Sequence, residues 1–255
     1  MMRVMSDEDA QAAAAYEAMA ENYAADLEDE SPWNSLYERP AVLSMLPDVA
    51  GKRVLDVGCG TGPLSAWLAS HGAEVIGFDV STSMVGLAKA RAIEGASFRV
   101  ADLAEPLDFL DDDSFDVAVA SLVIHYLRDW VAPLRELRRA LRHDGLLLIS
   151  THHPMQDIER SVSGNYFDVE LLKDRWTKGG EEFDVQFWRR PFAEMFAAFD
   201  SAGFSVLSLR EPQPVPECRE RFPDTWEKLT TQPAFVLFKL VAAGCGTIRG
   251  SERPV

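Results

Sequence analysis

The sequence predicts a doubly wound, mostly parallel α/β sheet, and three observations carry that prediction. Short apolar strands alternate with helices from Arg53 onward, the first strand runs straight into a glycine-rich turn, and acidic residues end the strands that follow. Strands separated by helices must cross over, which makes neighbouring strands parallel and covers both faces of the sheet.

Residues 7–29 are rich in helix formers and place Tyr16, Met19, Ala20, Tyr23 and Leu27 at three- and four-residue intervals, so a helix is expected there. A second is expected over 35–45, stopped by Pro47. Strands follow at 53–57, 74–80, 97–101, 115–121 and 145–151, with helices at 63–71, 82–92 and 129–143, the first and last of them closed by His71 and His143. After Thr151 the rhythm breaks for about forty residues, where an aromatic-rich loop is expected; so long an irregular stretch is usually functional. A helix at 192–202, stopped by Gly203, a strand at 204–209, a short helix around 217–229 and a last strand at 234–241 complete the pattern. The organisation expected is one domain over 1–243, with 1–50 as an N-terminal helical cap and 152–190 as an insertion on the substrate side; the polar tail 244–255 is expected to be loose.

Composition narrows the function. Of 255 residues, 47% are hydrophobic and 26% charged, which is ordinary for a globular chain with a full core. No apolar run approaches membrane-spanning length, and the N-terminus turns acidic before any signal-like stretch forms. The three cysteines, Cys59, Cys218 and Cys245, have neither disulfide-framework nor zinc spacing, so no metal is expected and a reducing, cytoplasmic location is. A net charge of −16 repels phosphate backbones and anionic lipid, which argues against nucleic-acid and membrane partners. Arg135, Arg138, Arg139 and Arg142 cluster, but at helical spacing they read as a solvated face. A monomer and a homodimer are both open.

The strongest local signal is Val54-Leu55-Asp56-Val57-Gly58-Cys59-Gly60-Thr61-Gly62, a buried strand entering a glycine loop. Glycine allows positive φ and close approach of a ligand to the main chain. Pro63 suits the first position of the next helix but stands where a dinucleotide fingerprint has its third glycine. Asp79, ending the second strand about 20 residues on, is placed to hold ribose hydroxyls. Asp102, ending the third, can accept from an exocyclic amine. Each acid taken singly is equally a helix cap or a solvated loop end; together they share the carboxyl edge of the sheet, where such folds bind ligands.

These residues give the chain its resemblance to the class I S-adenosylmethionine-dependent methyltransferases, particularly the small-molecule group that includes the ubiquinone/menaquinone-biosynthesis type. The motifs are Val54 to Gly62, Phe78-Asp79-Val80-Ser81 with Met84, Ala101-Asp102-Leu103, Phe115-Asp116 with Ser121 to Tyr126, and Leu137 to Ile149. The resemblance covers most of the chain, and it implies a Rossmann-like sheet of seven strands whose last, antiparallel strand lies between the fifth and sixth. It also implies S-adenosyl-L-methionine as cofactor, with Asp56 and Gly58, Cys59, Gly60 and Gly62 at the methionine part and Asp79 on the ribose. Val80 and Met84 would flank the adenine, Ala101, Asp102 and Leu103 its edge, and Ser121, Leu122 and Tyr23 the remainder of the cofactor.

For the acceptor, His153 and His152 are candidate proton acceptors after the fifth strand, since imidazole is the side chain best suited to that task near neutral pH. A structured turn before Pro154 explains them equally well. Adjacent residues point to opposite faces, so they do not readily chelate one ion. Tyr16, Trp33, His125, Tyr126, Tyr166, Trp188 and Arg189 are candidate substrate contacts, aromatic walls favouring an acceptor with ring or apolar surface. Arg39 and Arg189 are suited equally to an anionic acceptor group and to surface ion pairs. The fourth strand lacks the Asn/Asp-Pro-Pro-aromatic motif of enzymes methylating base amines, which points to a small molecule, with oxygen favoured and nitrogen or carbon open. A nicotinamide-dependent oxidoreductase and a protein that binds S-adenosylmethionine without transferring methyl stand as alternatives.

Overall fold

The structure, a computed structural model, describes residues 7–27 and 31–242, without the side chains of 7–10, 12 and 23–27; the expected tail 244–255 lies outside the described residues. Its centre is a seven-stranded sheet in the order β3-β2-β1-β4-β5-β9-β8. Strands β1 (Arg53–Val57), β2 (Glu74–Asp79), β3 (Ala96–Val100), β4 (Phe115–Ser121) and β5 (Leu141–His152) pair in parallel. Strand β9 (Phe235–Ala242) runs antiparallel between β5 and β8 (Phe204–Arg210), the reversed last strand that the resemblance implies.

Alternation along the strands builds two cores, because successive side chains leave a strand on opposite faces. Leu55, Ala118, Ala120, Leu147, Phe238 and Leu240 pack on one face beneath α5 (Val131–Ala140) and α6 (Phe192–Ser201), through Leu134, Leu137 and Phe199. Val54, Val117, Val119, Leu148 and Leu237 pack on the other beneath α2 (Arg39–Met45) and α3 (Pro63–Ser70), through Val42, Met45, Leu64 and Leu68. Helix α1 (Asp7–Leu27) lies outside both and is clasped to the start of α4 (Thr82–Ala90). The Glu17 carboxylate accepts from Ser81 Oγ at 2.5 Å, Ser83 Oγ at 2.6 Å and Ser83 N–H at 3.1 Å, and these bonds hold its carboxyl below the usual value.

Four expectations are corrected. The stretch after Thr151 is not mainly loop: β6 (Glu170–Lys178) and β7 (Glu181–Arg189) form an antiparallel hairpin. Its two-residue connection is Gly179-Gly180, with φ of +58° and +82°, the pair of positive angles that matches the twist of flanking strands. The helix expected to reach residue 143 stops at Ala140, where buried Leu141 pairs with Phe115 and Arg142 bonds Asp116 at 2.6 Å. His143 therefore closes no helix and lies in β5. The helix expected around 217–229 is two, α7 (Glu217–Arg221) and α8 (Pro223–Thr231), because Phe222 precedes a proline and leaves helical geometry. Finally, 34–38 form a π-helical turn ahead of α2 rather than continuous α-helix. Among the described residues, no helix is long and apolar enough to cross a membrane.

Candidate functional site

The carboxyl ends of β1, β2 and β4 open into one cavity lined by the glycine turn and by acids from three elements. Asp56 is buried within β1 and accepts a 2.6 Å hydrogen bond from Ser65 Oγ. Burial raises its carboxyl to about 6, with the neighbouring charges of Asp79 and Glu38 pushing the same way. Asp79 takes Gly60 N–H at 2.9 Å on one oxygen and Ser81 N–H at 3.0 Å on the other; burial outweighs these bonds and raises it too. Asp102 caps its own turn through Ala104 N–H at 2.8 Å.

The glycines serve different ends. At Gly58, with φ of +68°, a Cβ would stand 2.5 Å from Val123 Cγ2, so the loop after β4 fills the space a side chain would need. At Gly60 the same atom would meet nothing within 4 Å, which leaves bare backbone facing open space. Gly62 lies outside the cavity lining; it starts α3, and a Cβ there would press on Phe98 and Ala88. Its neighbours here are packing ones, between the lining residues Thr61 and Pro63.

Cys59, Val80, Met84, Ala101, Leu103, Ser121 and Leu122 line this cavity with the acids, and Tyr16 and Tyr126 join them from α1 and the turn after β4. The side chain of Tyr23 lies outside the described residues. Burial pushes the Cys59 thiol far up, so it is a neutral wall. Sequence reasoning missed Glu38, which is fully buried at the cavity and accepts from Ser121 Oγ at 2.7 Å and from Ser150 Oγ. Its burial raises its carboxyl, against the pull of these bonds and of Arg39. The available signal was an acid in step with the apolar positions Val42 and Met45, three to four residues apart.

A second cavity, about 380 Å³, abuts the first and shares Tyr16, Asn34, Leu122 and Tyr126 with it. At this junction the Tyr16 and Tyr126 hydroxyls bond at 2.6 Å, and Leu122 holds a φ of +49°, a left-handed conformation costly for leucine. Trp33, Trp176, Phe187, Phe235, His125 and His152 line the second cavity.

The histidines separate as adjacent strand residues must. His153 faces away from both cavities: its Nε2–H donates to Glu211 Oε1 at 2.9 Å, and its Nδ1 accepts Met155 N–H at 3.3 Å. No lone pair remains for proton abstraction, so His153 is corrected to a structural residue. His152 lines the second cavity, with Nδ1 at 3.2 Å from Asp157 Oδ2, and its ring stacks on buried His125 at 4.2 Å between centroids. Burial holds His125 well below its usual value and therefore neutral.

Tyr166, Trp188 and Arg189 line neither cavity. Arg189 is buried and donates to the carbonyls of Asn165, Tyr166 and Asp168 at 2.8 to 3.0 Å, tying a loop to the hairpin. Tyr166 Oη accepts Phe192 N–H at 3.3 Å. Strand parity explains the exchange of Trp188 for its neighbour Phe187, which faces the cavity. Among the described residues, no group of three or more His, Cys, Asp and Glu side chains is placed to hold a metal ion.

Residues 55–149 match the family model described as methyltransferase domain. A ubiquinone biosynthesis O-methyltransferase of Haemophilus ducreyi is 32% identical over 143 residues, 52% of this chain and 58% of that protein. A phosphoethanolamine N-methyltransferase of Triticum aestivum is 32% identical over 174 residues, 65% of this chain and 33% of that protein. The chain thus spans less than two thirds of the length of these curated relatives. A solved S-adenosylmethionine-dependent methyltransferase from Mesorhizobium loti superposes with a TM-score of 0.66 at 26% identity, covering 84% of this chain and 99% of that one.

Proposed function

Because the chain belongs to the class I S-adenosylmethionine-dependent methyltransferases, we propose that it transfers the methyl group of S-adenosylmethionine to a small-molecule acceptor, at oxygen. The observation that carries this reading is the charge of the first cavity: Glu38, Asp56, Asp79 and Asp102 stand there against one cation among the lining residues, Arg39. A ligand with a sulfonium and an ammonium is attracted by such a wall, whereas the pyrophosphate of a nicotinamide dinucleotide is repelled.

In this reading Asp79 accepts from the ribose hydroxyls, and Asp102 from the adenine amine. Val80 and Met84 lie on the faces of the base. Asp56 and Glu38 set negative potential at the methionine end, while Gly60 lets the ligand lie on bare backbone. The acceptor occupies the second cavity, walled by the N-terminal helices and the β6–β7 hairpin; its size suits a small molecule. The sulfonium is already a good leaving group, so the chain's main task is to align the acceptor behind the methyl carbon with water excluded.

Calorimetry with S-adenosylmethionine tests the assignment. Asp79→Ala removes a charge-assisted hydrogen bond and is expected to weaken binding by about 1.5 to 3 kcal/mol, roughly 10- to 150-fold. Unchanged affinity overturns the placement of the ribose. Relatives acting at oxygen and at nitrogen both exist, so the acceptor atom rests on the groups facing the second cavity.

A further inference from the structure

We propose that Glu38 distinguishes the charged methyl donor from its spent, neutral product, its carboxylate standing beside the sulfonium and favouring S-adenosylmethionine over S-adenosylhomocysteine. This rests on the methyl-transfer reading and gives a specificity role to a residue outside the glycine turn and the strand-end acids.

The four acids of the first cavity differ in what already holds them. Asp79 has a backbone N–H on each oxygen, Asp102 caps its own turn, and Asp56 takes Ser65 Oγ. Glu38 is only 4% exposed, and its Oε1 accepts both of its hydrogen bonds, from Ser121 Oγ and Ser150 Oγ. Among the described residues, Oε2 has no hydrogen-bond partner and no cation stands within ion-pair distance of the carboxylate. The group nonetheless lines the cavity. A buried carboxylate without a cation is costly, and a cationic guest beside it both relieves that cost and holds the group ionised.

The chain's own connections put Glu38 at the sulfur rather than elsewhere on the ligand. A methyl group passing from the first cavity to the second must leave from where they meet, at Tyr16, Asn34, Leu122 and Tyr126. Glu38 is joined to that junction from two directions. Asn34 and Glu38 are the ends of one π-helical turn, closed by Arg39 N–H donating to the Asn34 carbonyl. Ser121, bonded to the carboxylate, precedes Leu122, and Ser150 Oγ, its other donor, accepts Leu122 N–H at 3.0 Å. The carboxylate thereby helps to hold Leu122 in its left-handed conformation, which persists only where the surroundings fix it. Transfer leaves the sulfur neutral, because the electrons of the broken C–S bond go to it. The attraction to Glu38 ends with that step while the ribose and adenine contacts are unchanged, so replacement of spent cofactor by fresh donor is favoured at this residue.

Calorimetry with three ligands tests this without turnover: S-adenosylmethionine, S-adenosylhomocysteine, and sinefungin, which carries an ammonium on carbon in place of the methylated sulfur. Glu38→Gln keeps an oxygen for both serines. It is expected to weaken S-adenosylmethionine and sinefungin by about tenfold or more and S-adenosylhomocysteine by less than about threefold, since an opposite charge nearby is weakly screened in a buried site. Glu38→Asp, which keeps the charge, is expected to recover most of the preference for the two cations. Asp79→Ala, whose ribose contact all three ligands share, is expected to weaken them nearly alike. An unchanged ratio between the cations and S-adenosylhomocysteine in Glu38→Gln overturns the inference. Loss of all three ligands alike in that variant, through a disturbed fold or otherwise, also overturns it and makes Glu38 a structural residue. Failure of wild type to bind S-adenosylmethionine or its product overturns the methyl-transfer reading itself.

Discussion

Asparagine in place of Asp56 is expected to stabilise the ligand-free protein near neutral pH while weakening the site. Burial lifts this carboxyl from 3.8 to about 6. Between those values the native protein keeps a proton that the unfolded chain has released. The group's contribution is therefore complete below the unfolded value and is lost as pH climbs through about 6. Roughly two units correspond to about 3 kcal/mol over the whole range, close to half of it falling between about pH 5 and pH 7.5. Asparagine keeps an oxygen for Ser65 Oγ and carries no charge, so its stability is free of this term. Urea unfolding of both proteins at the two pH values is the assay. The stability of Asp56→Asn relative to wild type is expected to rise by about 1.4 kcal/mol on going to the higher pH. A constant or shrinking difference refutes the reasoning, because the carboxylate would then be as comfortable folded as unfolded. Taking the difference between two proteins removes the effect of the overall charge of −16, which is nearly common to both.

Gly58→Ala places a methyl group 2.5 Å from Val123 Cγ2 in a left-handed conformation, so loss of S-adenosylmethionine binding is expected, with partial recovery in the double variant with Val123→Ala, read by calorimetry. His153→Ala removes a link between β5 and Glu211, and burial already holds that imidazole below its usual value. Thermal unfolding is expected to show a lower midpoint with cofactor affinity retained; a turnover loss of about 10² or more in a folded variant would return His153 to catalysis.

The sheet was legible because its signals are local. β1 with its glycine turn, Asp79 at the end of β2 and the run of Phe115–Ser121 each need only a few neighbours to be read. The hairpin was legible in principle, through Gly179-Gly180 between two alternating runs, but aromatic density in that stretch reads equally as loop. Helix and strand at 129–143 were confounded because arginines at helical spacing continue to Arg142, while the turn is decided by Leu141 finding Phe115 across the sheet. At the site, the residues on strand ends could be ordered along one edge, whereas Glu38 reaches it from 83 residues before Ser121, a contact that no local pattern encodes. Arg189 shows the converse: its charge suggested a ligand, and three loop carbonyls occupy it.

Helix α1 touches three places at once: Glu17 on the serines beside Asp79, Tyr16 against Tyr126, and Asn22 donating to Glu181 in the hairpin. One helix thus borders both cavities and the hairpin at once. Such a shared element couples the two cavities, so that a displacement of α1 at one is felt at the other.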